Sequence, residues 1–123
     1  MNIDHINIAA PFPLLEAVRD FYCRVLNLEN GFRPNFGHRG FWLYSGAAPL
    51  VHLSEKAVPG PGRERGYLDH VAFRSRGLDA MVARLETNGV DYRSAYIEEF
   101  NMTQLFFNDP AGNGIEVNFP DER

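Results

Sequence analysis

Ile3-Asp4-His5-Ile6-Asn7-Ile8, near the start of the chain, is echoed by Leu68-Asp69-His70-Val71-Ala72-Phe73, with His70 standing 65 residues after His5. Leu50-Val51-His52-Leu53 is echoed in the same way by Gly114-Ile115-Glu116-Val117, with Glu116 standing 64 residues after His52. Two echoes at nearly one offset, each setting a His or Glu on an equivalent segment, point to a duplicated module and a shared site. The echoed segments alternate. Ile6 and Ile8 fall on one face and His5 and Asn7 on the other, as the two-residue period of a strand requires.

Outward from these segments the halves repeat an order of elements. In the first half, Pro11 and Pro13 end the opening strand and start a helix, whose first turn tolerates proline. Leu14, Val18, Phe21, Tyr22, Val25 and Leu26 recur at steps of three and four, the pattern of an amphipathic helix. Asn30-Gly31 reads as a turn, and strands are expected near 32–35, 41–44 and 50–54. In the second half, a strand at 70–74 precedes a helix marked by Leu78, Met81, Val82 and Leu85 and closed by Asn88-Gly89. Strands near 92–97, 104–108 and 115–119 follow, the last two joined by Asp109-Pro110-Ala111-Gly112-Asn113-Gly114. Each half therefore reads β-α-β-β-β. The expected organisation is α+β: one domain over 1–123, made of module 1–56 and module 67–120, with the Pro/Gly-rich stretch 57–66 as linker.

Bulk properties narrow the class. A chain of 123 residues has the size of one domain, and 45% hydrophobic residues can furnish a core. The net charge of −4, with no Lys/Arg block, argues against nucleic acid as a partner. No apolar run approaches the ~20 residues of a membrane span. The start of the chain shows no secretory pattern and Cys23 stands alone, so a soluble cytoplasmic protein is expected.

The polar strand faces carry the chemistry. His5, His52, His70 and Glu116 offer imidazole nitrogens and a carboxylate, donors suited to zinc, iron, nickel, cobalt or manganese. Two His and one carboxylate on one side of a metal leave positions open for substrate; a fourth ligand, His52, still leaves room on a six-coordinate ion. His38, in the loop Gly37-His38-Arg39-Gly40, stands outside the repeat and reads as surface or pocket rim.

These motifs resemble those of the vicinal oxygen chelate superfamily, which includes glyoxalases, extradiol dioxygenases and bleomycin-resistance proteins. The resemblance covers nearly the whole chain. It rests on the His5 strand, on Asp20-Phe21-Tyr22-Cys23-Arg24-Val25-Leu26-Asn27-Leu28, on Asp69-His70-Val71-Ala72-Phe73, and above all on Phe107-Asn108-Asp109-Pro110-Ala111-Gly112-Asn113-Gly114-Ile115-Glu116-Val117. It implies a glyoxalase-like fold in which paired βαβββ modules curl their mixed sheets into a cup around a divalent metal, with helices outside. It also implies a homodimer whose sites are lined by both subunits. His5, His70 and Glu116 match the most widely used ligand positions. His52 matches a fourth position that is commonly Glu in glyoxalases, so Glu116 remains the only carboxylate ligand and the candidate catalytic base.

Three chemistries follow from the resemblance. The first is a glyoxalase-like isomerase or lyase acting on a small substrate with neighbouring oxygens, with Arg24, Arg33 and Lys56 as cations for an acidic substrate or as plain surface charges. The second is an extradiol-type dioxygenase with non-haem iron, with Tyr44, Tyr92, Tyr96 or His52 as an added acid or base. The third is a non-catalytic drug-binding protein, with Phe36, Phe41, Trp42, Phe100 and Phe106 lining a cleft. Fosfomycin transfer fits less well, because those enzymes usually place a Tyr where this chain has Phe106. The first is the working expectation.

Overall fold

In the computed structural model, residues 1–57, 68 and 70–123 are described. The first half runs β1 (Ile6–Ala10), α1 (Phe12–Leu26), β2 (Glu29–Gly31), β3 (Gly40–Ser45) and β4 (Ala48–Glu55). The second runs β5 (His70–Arg74), α2 (Leu78–Thr87), β6 (Arg93–Ile97), a single 3₁₀ turn (Glu98–Phe100), β7 (Met102–Asn108) and β8 (Gly114–Pro120). The expected βαβββ order is present in each half. The chain divides into two units, Met1–Gly66 and Tyr67–Arg123. Apart from Ala57, the expected linker lies outside the described residues.

Each unit holds one open, four-stranded mixed sheet, ordered β1-β4-β3-β2 in the first and β5-β8-β7-β6 in the second. The echoed strands are the parallel pairs, β1 with β4 and β5 with β8. Parallel neighbours need a long crossover, and the helix and the next two strands supply it.

Register separates the two faces of the first sheet. Ile6 and Leu43 flank Val51, and Ile8 and Phe41 flank Leu53. This face is covered by α1, whose Leu15, Val18, Phe21, Tyr22 and Val25 are buried at helical spacing. Full burial of such side chains contributes roughly 1.5–3 kcal/mol each before the entropy cost of ordering them. Leu15, rather than the expected Leu14, leads the stripe. The helix stops at Asn27, which adopts the left-handed conformation with φ 56°.

The second expected strand lies elsewhere. Asn30-Gly31 is not a turn but part of β2, and 32–35 is loop. The reason is a close approach that sequence alone does not reveal. A Cβ at Gly31 would stand 2.7 Å from the Tyr44 ring, and the Tyr44 hydroxyl donates to the Phe32 carbonyl at 2.6 Å. Glycine is there to make room for a ring, not to reverse the chain.

In the second unit, Val71 and Phe107 flank Ile115, and Phe73 and Leu105 flank Val117, forming the apolar face. Leu78, Met81 and Leu85 are the buried stripe of α2. A cavity of about 320 Å³ lined by Leu78, Val82, Tyr96 and Leu105, among others, places α2 over the β6–β7 side of that face. No described helix is long and apolar enough to cross a membrane.

Candidate metal site

The polar face of the first sheet gathers rings. Trp42 of β3 and Asn7 of β1 are the direct neighbours of His52 on β4. The His52 imidazole lies between two parallel rings: Trp42 at a centroid distance of 4.0 Å and His5 at 3.8 Å. Phe36 extends the row, 6.1 Å from Trp42. His5 itself precedes β1, so the strand begins one residue later than the ligand expected on it.

Hydrogen bonding settles which ring nitrogens remain available. His5 Nδ1 is 2.6 Å from the Asp4 carboxylate, which leaves Nε2 as the nitrogen with a lone pair. The His52 ring is hydrogen-bonded to the Pro49 backbone, while its Nε2 is buried with no partner among the described residues. Burial and the neighbouring His5 hold the His52 pKa below its usual value, favouring the neutral ring. A neutral imidazole tied at one nitrogen and open at the other is the form that ligates a metal.

The second unit brings the other pair together. His70 Nε2 lies 3.0 Å from Glu116 Oε2, although His70 opens β5 and Glu116 sits within β8. Glu116 is one of the few buried charged residues among those described. Its other oxygen, Oε1, accepts a 2.6 Å hydrogen bond from Gln104 of β7. Gln104 Nε2 also donates to Asn118 Oδ1 at 2.9 Å. Phe106 stands directly across from Glu116, as Trp42 does from His52. The repeat thus extends to the aromatic neighbours of the ligand strands.

The structure therefore pairs His5 with His52 in one unit and His70 with Glu116 in the other. Among the described residues, no group of three or more His, Cys, Asp or Glu side chains is gathered around a metal position. The donor set fits a divalent ion such as zinc, manganese or iron. The orphaned Nε2 of His52 is the geometric sign of that fit.

Other sequence candidates have structural roles. The three tyrosine hydroxyls are engaged locally, Tyr44 with Phe32, Tyr92 with Glu86 and Tyr96 with Asn101. Phe41 lies on the face opposite His52 and stacks on Phe12. Phe100 is exposed in the 3₁₀ turn. The Arg33 guanidinium turns back on its own loop, donating to the His38 carbonyl at 3.0 Å and lying over Phe36. Arg24 occupies the last turn of α1, where a cation complements the helix dipole. Lys56 is exposed just beyond β4.

Gln104 and Asp4 were not singled out from the sequence. The signal for Gln104 was the Asp109–Gly114 turn. Pairing outward from it sets Phe106 against Glu116 and Gln104 against Asn118.

The fold agrees with what is known of other chains. The model of the Glyoxalase/Bleomycin resistance protein/Dioxygenase superfamily matches residues 2–117, and the chain belongs to that superfamily. It is 30% identical over 105 residues to "Glyoxylase I 4" of Arabidopsis thaliana, covering 80% of this chain and 60% of that protein. The chain thus spans about 60% of the length of that relative. Among solved structures, a glyoxylase/bleomycin resistance protein/dioxygenase domain from Frankia sp. EAN1pec superposes with a TM-score of 0.78 at 19% identity, covering 99% of this chain and 93% of that one. The fosfomycin resistance protein FosX of Listeria monocytogenes, as a variant complexed with Mn(II) and a dihydroxypropylphosphonic acid, superposes at 0.72 and 17% identity, covering 97% and 92%.

Proposed function

We propose that the chain is a divalent-metal-dependent isomerase or lyase of the glyoxalase type, acting on a small substrate with neighbouring oxygens through an enediolate-type intermediate. The observation that carries this reading is the Nε2 of His52, buried and without a partner among the described residues, on a ring kept neutral. Leaving such an acceptor unsatisfied costs about 1–3 kcal/mol, so it calls for a partner. The proposed ligands are His5, His52, His70 and Glu116. A bound ion would supply Lewis acidity toward negative charge developing on neighbouring oxygens. The Mn(II) held by FosX supports a divalent ion.

Within this reading the side chains divide the work. Asp4 and Pro49 fix the orientation of the His5 and His52 rings. Trp42 walls one side of His52 and keeps water from its face. Glu116, the only carboxylate of the four, is the group to take a proton from carbon next to a carbonyl. The active form is a homodimer, the N-terminal unit of one subunit facing the C-terminal unit of its partner. A cytoplasmic setting fits the single free Cys23.

Metal analysis of the purified protein tests the ligand set, with His70→Ala and Glu116→Gln as controls. Both variants lose metal on this reading, and full retention in both overturns it. Turnover is then sought with the methylglyoxal–glutathione hemithioacetal and, in air, with catechols. Isomerisation without oxygen uptake supports the proposal. Oxygen-consuming cleavage of a catechol replaces it with a dioxygenase. Metal-free protein binding one aromatic ligand per subunit interface replaces it with a binding protein.

A further inference from the structure

We infer that Gln104 is a positioning residue that makes Glu116 a one-oxygen metal ligand; this inference rests on the metal-site reading above. A carboxylate offers two oxygens and can grip a divalent ion with one or both. In this structure the two oxygens of Glu116 face different partners. Oε1 takes the 2.6 Å hydrogen bond from Gln104, and Oε2 faces His70 at 3.0 Å. The oxygen turned toward the other proposed ligand is therefore the one without the amide.

The chemistry of the amide makes the assignment firm. An ionised carboxylate only accepts, so the Gln104 group facing it is the NH₂. That nitrogen has two hydrogens. One serves Glu116 and the other serves Asn118 Oδ1 at 2.9 Å. Both donors are spent inside the protein, so Gln104 has no N–H left for a substrate. Its role is exercised through Glu116. Backbone register enforces it, because antiparallel pairing puts Gln104 directly across from Asn118 and one pair along from Phe106–Glu116. Three residues of two adjacent strands thus form a closed clamp on one carboxylate oxygen. The first unit has nothing equivalent: the residue 64 positions before Gln104 is Gly40. The clamp belongs to the one half of the repeat whose ligand is a carboxylate.

The test compares wild type with Gln104→Met, which keeps the length of the side chain and removes its N–H groups. Metal-free melting temperature, Co²⁺ affinity and the visible ligand-field spectrum of the Co²⁺ protein are measured. The expected result is a melting temperature close to wild type, an affinity weakened about 10- to 100-fold, and an altered spectrum as Glu116 is released to bring in its second oxygen. Unchanged affinity and spectrum overturn the inference. Weaker binding with an unchanged spectrum overturns it as well, because it assigns Gln104 to packing alone. Should Gln104→Met not fold, Gln104→Glu, isosteric and unable to donate when ionised, must alter the spectrum in the same way. Wild-type protein that binds no Co²⁺ overturns the metal reading itself, and Gln104's role with it. That outcome is distinct from a wild type that binds beside a variant that is unaffected.

Discussion

His52 concentrates the physical argument at the scale of one residue. Its ring is pressed between Trp42 and His5, its Nε2 is buried, and no group among the described residues answers that nitrogen. Trp42 is the only tryptophan in the chain, and its ring lies directly against that of His52, so its emission reports on this site. Titrating metal-free protein with Zn²⁺ is expected to change Trp42 emission, and His52→Ala is expected to abolish the change. A response that survives in His52→Ala would place the metal elsewhere. Tyr44 makes a second single-residue case. Its hydroxyl holds the Phe32 carbonyl at 2.6 Å, and Tyr44→Phe should lower stability by about 0.5–1.5 kcal/mol in chemical denaturation.

At the scale of elements, two contacts made across long stretches of chain set the geometry. The first is at Gly40, which opens β3. An added Cβ would fall 2.1 Å from the Leu53 carbonyl and 2.8 Å from Arg33 Nε. Gly40→Ala must push β3 off β4 and should cost about 1–3 kcal/mol or more, read as a lowered denaturation midpoint. The second is the start of α2. Gly77, its N-terminal cap, has no side chain to accept the free N–H groups of the first turn. Glu122 accepts them instead, from Leu78 at 2.7 Å and from Gly77 at 2.9 Å. These bonds from Leu78 and Gly77 hold the Glu122 pKa below its usual value of 4.5. A depressed carboxylate pKa adds stability that is present above the ordinary value and is lost as pH falls through the folded one. Glu122→Gln should therefore melt below wild type at neutral pH. The two curves should converge in acid, below the folded pKa. A constant gap at all pH values would show that charge plays no part in the cap.

At the scale of the whole molecule, the two units are built to one plan with different polar occupants. Each opens on a parallel strand pair, buries one sheet face and keeps the other for donors and aromatics. Leu15 and Leu85 are fully buried, one in each helix. Leu15→Ala and Leu85→Ala should each cost about 2–5 kcal/mol, measured by denaturant titration. If the proposed ligands hold a metal, stripping it with a chelator lowers the melting temperature. At an ion concentration a hundredfold above Kd the stabilisation is about 2.7 kcal/mol. A melting temperature indifferent to chelator and added ion would count against a stabilising metal.

The repeat of His5 with His70 and of His52 with Glu116 was enough to read two βαβββ halves, because a two-residue period and a helical period are local properties of the chain. The same local reading lost its way at Asn30-Gly31. There the glycine answers to the ring of Tyr44, thirteen residues further on. It also took Leu14 for Leu15, since a stripe of neighbouring leucines defines the helix face only to within one residue. The donor types were legible because imidazole and carboxylate on strand faces are uncommon enough to notice. Their environment was not. That His52 would lie between two rings and that Gln104 would clamp one oxygen of Glu116 depend on the register in which strands pair, and that Asp4 would hold His5 depends on the backbone conformation leading into β1. Sequence alone determined which atoms could bind a metal. Tertiary structure decided which of those atoms are left without a protein partner, because hydrogen bonds and ring contacts between strands are made only when the sheets form.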